Sequence, residues 1–181
     1  MHWRTTQDHW GWLSIIIHWL TALAVFGLFG LGLWMVSLDY YDAWYRKGPA
    51  LHKSIGIFLF SLTLLRLIWR RIEGKPAPLS SHSARERAIA RHVHSLLYLL
   101  LIAVMLCGYL ISTADGRAIE VFGWFAIPAT VYGFDKQEDI AGLIHLWLAV
   151  TLISLVALHA LAAIKHHVFD KDRTLQRMLG L

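Results

Sequence analysis

Cysteine is almost missing from this 181-residue chain: Cys107 stands alone, in the middle of an apolar run. A lone thiol excludes an intramolecular disulfide, a C-x-x-C-H haem attachment and a cysteine-held iron–sulfur cluster together. Charge is scarce as well. Only 16% of residues are Asp, Glu, Lys or Arg, against 57% hydrophobic residues and nine tryptophans. With a mean hydropathy of +0.51, the composition is too oily for a soluble domain of this length. Acidic residues are wholly absent from residues 12–36, 51–69, 93–112 and 142–164. A helix crosses the ~30 Å hydrocarbon layer with roughly 20 apolar residues, so each of the four stretches is long enough to span. The first is too long for the apolar part of a signal peptide, no small-x-small site follows Val36, and it reads as a retained span. Prolines are few, and Pro76 and Pro78 fall together before Ser80 and Ser81. That break separates two helical hairpins. The connection is short for a linker and neither hairpin could bury its histidines alone, so the expectation is one all-α domain over 1–181, an integral membrane four-helix bundle. No repeat or low-complexity tract interrupts it.

Basic residues flanking spans are held on the cytoplasmic side. Arg70, Arg71, Lys75, Arg85, Arg87 and Arg91 follow the second stretch, Arg4 precedes the first, and Lys165, Lys171, Arg173 and Arg177 follow the last. Asp39, Asp42, Asp115, Glu120, Asp135, Glu138 and Asp139 populate the other two connections. The expected topology is therefore multi-pass, with both termini cytoplasmic. The net charge of +5 follows from that topology and from contact with anionic lipid, with no pattern for a nucleic-acid partner. Trp124, Phe125, Pro128 and Tyr132 in the long outward connection, residues 113–139, suit an interfacial belt or a cap over the outer face.

Five of the eleven histidines, His18, His52, His94, His145 and His159, fall within or at the start of the apolar stretches. An ionisable group at membrane depth costs a few kcal/mol and marks either a functional site or a hydrogen bond to a neighbouring helix. By depth they divide into an inner group, His18, His94 and His159, and an outer pair, His52 and His145. His145 and His159 are fourteen residues apart, about 21 Å of helical rise on nearly one face. The same offset joins His18 to Gly32, His52 to Arg66 and His94 to Gly108. Glycine at the outer depth either leaves room for something flat and bulky or lets helices pack closely.

Two histidines per level are too few for zinc or copper, which recruit further Cys, Asp or Glu ligands, and the apolar stretches hold no carboxylate. Two axial imidazoles suffice when a macrocycle supplies the other four donors, which is the chemistry of a non-covalent b-type haem between helices. Two such haems at two depths make an electron path across the bilayer.

The segment Ser14 to Leu20 around His18-Trp19, the Leu51-His52-Lys53-Ser54-Ile55-Gly56 run, His94 with Tyr98, and Leu158-His159-Ala160 followed by His166-His167 and Lys171-Asp172 resemble the bacterial four-helix cytochrome b561 family over essentially the whole chain. The resemblance implies two b haems, with His18 and His159 ligating the inner one and His52 and His145 the outer one. His94 either replaces one inner ligand or bonds a propionate or quinone, and Arg66 either pairs with a propionate or snorkels to the headgroups. It also implies an oxidoreductase that oxidises superoxide at the outer face and reduces ubiquinone at the inner. Lys53, Arg117 and Lys136 are candidates to attract superoxide, against an outward face that is net acidic. His166 is the candidate proton partner of the quinone, imidazole being suited to proton exchange near neutral pH; the alternative is that His166 and His167 cap the helix C-terminus. Two other functions stay open. One is a cytochrome b subunit relaying electrons between a periplasmic dehydrogenase or hydrogenase and the quinone pool. The other is a non-redox bundle whose histidines hold free metal or line a proton path.

Overall fold

The computed structural model describes residues 3–181; Met1 and His2 lie outside the described residues. Four long helices run up and down: α1 (Trp12–Met35), α2 (Lys47–Glu73), α3 (Ala84–Ser112) and α4 (Gln137–Val168), followed by the short α5 (Thr174–Leu179). All four long helices are apolar enough to cross a membrane, and little of each is covered by protein. Leu23, Leu99, Leu143 and Trp147 lie exposed on the outer surface, where lipid rather than water is the matching solvent.

The helices extend past the apolar stretches because polar residues start and stop them. Helix α3 begins at a capping box: the Glu86 N–H donates to the Ser83 hydroxyl at 3.2 Å and the Ser83 N–H donates to the Glu86 carboxylate at 2.8 Å, satisfying donors that the helix cannot satisfy itself. Helix α2 ends on Arg70 and Arg71 and is stopped by Gly74, whose φ of 82° an L-side chain rarely adopts. Helix α4 opens with Glu138 and Asp139 and closes with Lys165, His166 and His167, each sign opposed to the helix dipole at its end.

One hairpin was not expected from the sequence. Strands β1 (Ile119–Val121) and β2 (Phe125–Ile127) pair antiparallel within the α3–α4 connection. Positive φ at Phe122 and Gly123 provides the two left-handed residues of a primed turn, a conformation that aromatic-rich sequence does not advertise. The hairpin folds onto α2: the Ser54 hydroxyl accepts the Phe122 N–H at 3.1 Å, Ile119 and Val121 are buried, and Phe58 meets Phe122, Trp124 and Phe125 at centroid distances of 5.7–6.5 Å. The connection thus closes over this end of the bundle. The opposite end gathers the N-terminal arm, the α2–α3 connection and the C-terminal segment: the Ala77 N–H donates to the Gln7 carbonyl at 2.8 Å, and Arg177 donates to the Ala77 carbonyl at 2.8 Å. Glu73 holds the arm there too, accepting from the Thr5 N–H at 2.7 Å and from the Ser14 hydroxyl.

The apolar core cluster of the bundle lies midway between these ends and consists of Val25, Leu59, Leu100, Leu101 and Leu152. Val25, Leu59, Leu101 and Leu152 stand seven residues beyond His18, His52, His94 and His145. Seven residues are two turns of helix within about 20°, so each long helix presents a histidine and a packed aliphatic residue on one stripe.

Candidate functional site

Along those stripes the bundle interior forms three layers. At the hairpin end, His52 of α2 and His145 of α4 face each other with ring centroids 6.3 Å apart and planes inclined at 67°. Glycine backs each ring from the neighbouring helix. A Cβ at Gly32 would lie 3.3 Å from the His52 ring, and one at Gly108 would lie 3.3 Å from the His145 ring. Both glycines therefore permit close approach of an imidazole. The His145 Nδ1 sits 2.9 Å from the Val104 carbonyl; a carbonyl only accepts, so Nδ1 carries the hydrogen and the Nε2 lone pair stays available. The His52 Nδ1 is buried and has no partner, an arrangement that costs free energy unless something at the site compensates it.

The middle layer is the aliphatic cluster described above. Beyond it lies the third layer, where His94 of α3 and His159 of α4 approach to 5.1 Å between centroids at 71°. His18 of α1 lies within electrostatic reach of both. Arg66 joins this layer and does not snorkel: its guanidinium lies 2.7 Å from His18 Nδ1 and 5.5 Å from the Tyr98 ring centroid. Guanidinium only donates, so His18 Nδ1 accepts and the ring hydrogen sits on Nε2 in this arrangement. A cleft of about 340 Å³ opens beside His94, lined also by Arg70, Arg71, Lys75, Arg91 and Tyr98.

His166, one candidate from the sequence, stands at the end of α4 and belongs to neither histidine layer. Its ring meets that of His82 at 4.7 Å, and its Nδ1 lies 2.7 Å from Asp170 and 3.1 Å from Asp172. His82 lies outside the four apolar stretches. No periodicity links positions 82, 166 and 172, because three separate segments meet there. Arg117, a candidate for attracting an anion, is bound by its own neighbour: its Nε donates to Asp115 at 2.5 Å and a second nitrogen closes the pair. The pair cancels most of its field.

Paired histidines at two levels of an apolar bundle, separated by a packed aliphatic layer, define a class: a four-helix membrane protein with two internal imidazole levels. Comparison with known proteins gives the family. A family model described as prokaryotic cytochrome b561 matches residues 9–181, and the chain belongs to that family. It is 52% identical over 180 residues to cytochrome b561 homolog 2 of Escherichia coli (strain K12), covering 99% of this chain and 96% of the relative. It is 31% identical over 168 residues to a protein of Yersinia pestis named "Probable superoxide oxidase CybB", covering 92% and 93%. With cytochrome b561 homolog 1 of the same E. coli strain it shares 26% over 173 residues, covering 92% and 94%. Members of the family bind b-type haems and carry electrons across the membrane.

Proposed function

We propose that the chain binds two b haems and uses them to pass electrons from superoxide at the hairpin end to ubiquinone at the end that gathers the termini, with that second end cytoplasmic. On this reading it is one redox domain over its whole length and acts as a superoxide:quinone oxidoreductase.

The observation that carries the haem assignment is the spacing of His52 and His145. Imidazole nitrogens bind a metal at about 2.0 Å, so two rings sharing one ion would have centroids no more than about 6 Å apart, and these two, at 6.3 Å, fit such a pair. The glycine behind each ring, the unpartnered His52 Nδ1 and the free Nε2 of His145 support the same donor pair. At the other level His94 and His159 stand at 5.1 Å, well short of that span. This supports His18 as the partner of His159, with His94, which lines the cationic cleft, as a contact for a propionate or quinone oxygen. Ligation through His18 Nε2 needs the hydrogen on Nδ1 instead, so Arg66 must leave that nitrogen, and a propionate carboxylate is the acceptor it would take.

A b haem held by these histidines would supply a one-electron couple. The chain's own residues do the rest. Val25, Leu59, Leu101 and Leu152 exclude water between the two levels, so charge crosses without a hydrated path for protons. His166 lies where a quinone entering from the interface could exchange a proton with an imidazole. The net reaction balances as two superoxide plus quinone plus two protons giving two dioxygen plus quinol, each superoxide losing one electron. Lys53, half-buried beside His52, supports attraction of a small anion; Arg117, paired with Asp115, adds little.

The acidic excess of the hairpin-end connections favours a second reading, in which a basic periplasmic redox protein, rather than superoxide, delivers the electron. Single-turnover mixing separates the two. Superoxide added to the purified haem-loaded protein should reduce it within milliseconds, and ubiquinone should then reoxidise it; His166→Ala should keep the first phase and slow the second by roughly 10²-fold. Protein that superoxide leaves oxidised, while a strong chemical reductant reduces it, would transfer the assignment to the second reading.

A further inference from the structure

At the end of the molecule that gathers the termini, three polar side chains from three segments converge outside the bundle core. His82 comes from the α2–α3 connection, His166 from the last turn of α4 and Asp172 from the segment before α5. One ligating atom from each, an imidazole nitrogen from either histidine and a carboxylate oxygen from Asp172, lies within 4.8 Å of the other two. The carboxylate is held in place: Asp172 Oδ1 accepts the Thr174 N–H at 2.8 Å, which leaves Oδ2 facing both rings, 2.9 Å from His82 Nε2 and 3.1 Å from His166 Nδ1. Asp172 is buried, 9% exposed. The decisive detail is His166 Nδ1. It is buried, it stands within 3.1 Å of two carboxylates, and it still makes no hydrogen bond, because no N–H direction fits either oxygen. His82 Nε2 is bonded to Asp172 Oδ2, but His166 Nδ1, crowded against the same oxygen without an aligned hydrogen, is placed as a donor to a cation that the three groups would share.

We propose that His82, His166 and Asp172 form a binding site for a borderline divalent transition cation, zinc(II) being the best match. Two imidazoles and one carboxylate suit zinc, which takes N and O donors at about 2.0–2.2 Å in tetrahedral geometry; magnesium and calcium want oxygen alone. The fourth position falls to water or to Asp170, whose Oδ2 is shared with Lys165 at 2.6 Å. A bound ion would clamp the C-terminal segment onto the α2–α3 connection and occupy His166 Nδ1. It would therefore block quinone reduction, a consequence that rests on the proton role given to His166 above, whereas the binding itself does not.

The test uses the untagged, haem-loaded full chain in nanodiscs, titrated with zinc(II) against a chromophoric zinc indicator. The expected result is one zinc per chain, weakened at least tenfold in both His82→Ala and Asp172→Asn, with the haem spectrum of each variant unchanged as evidence of folding. X-ray absorption at the zinc edge of the unmutated protein should show two imidazoles, a readout that needs no variant to fold. No zinc bound at micromolar free metal, equal affinity in the wild type and both variants, or a zinc edge without imidazole would each overturn the site. Zinc that binds as expected but leaves quinone reoxidation unslowed would instead count against the proton role of His166.

Discussion

Gly108 offers the sharpest test of how the hairpin-end histidines are seated. A Cβ added there meets His145 Cε1 at 3.3 Å and Nδ1 at 3.5 Å, so alanine needs a few tenths of an ångström of give. Valine adds two more carbons whose χ1 is nearly fixed in a helix, and they cannot both turn from the ring. The imidazole must then shift by about 1 Å, which takes Nδ1 from its 2.9 Å contact with the Val104 carbonyl beyond hydrogen-bonding range. Losing that bond costs about 1 kcal/mol and overpacking about 1–3 kcal/mol more. The sum, about 2–4 kcal/mol, corresponds to a roughly 30- to 700-fold loss of haem affinity at that level, a decade being about 1.4 kcal/mol. Pyridine haemochrome quantification of Gly108→Val should give one haem per chain where the wild type gives two, with Gly108→Ala intermediate. Gly56→Val serves as the control, because nothing lies within 4 Å of a Cβ there, and it should retain both. Two full-strength haems in Gly108→Val would refute the seating argument.

His159→Ala should remove the haem at the terminal end and spare much of the other; an unchanged haem content would rule out His159 as a ligand. Leu152→Ala opens a cavity in the aliphatic layer at a side chain only 5% exposed and should cost about 2–5 kcal/mol, read as a lowered thermal midpoint with both haems still bound. The Asp172 carboxyl responds to acid. Burial alone would raise it, but hydrogen bonds from Thr174 and His82 and the nearby His166 bring it below the usual 3.8. A depressed folded value means stability that is present above 3.8 and lost as the pH falls through the lower folded value. Limited proteolysis of the C-terminal segment should therefore accelerate below about pH 4 in the wild type. Asp172→Asn should be cut faster at neutral pH, without the acid-dependent increment.

Much of the architecture was legible in the residue order because the helix repeat is set by covalent geometry. Four acid-free runs of spanning length and histidines fourteen apart on α4 place two polar levels on one helix before any neighbour is known. The offsets from His18 to Gly32 and from His94 to Gly108 likewise put both glycines at the depth of the outer pair, where they back His52 and His145. Tertiary structure alone decided which groups meet. Lipid-facing and bundle-facing surfaces are equally apolar in a membrane protein, so periodicity could not say that Arg66 turns toward His18 or that His94 approaches His159 more closely than His52 approaches His145. Nor could it single out Val25, Leu59, Leu101 and Leu152 among so many aliphatic residues as the packed layer. The hairpin over α2 and the meeting of His82, His166 and Asp172 depend on loop closure between segments up to ninety positions apart. A helix carries its own register from residue to residue, whereas contacts across such distances exist only once every intervening turn has been made.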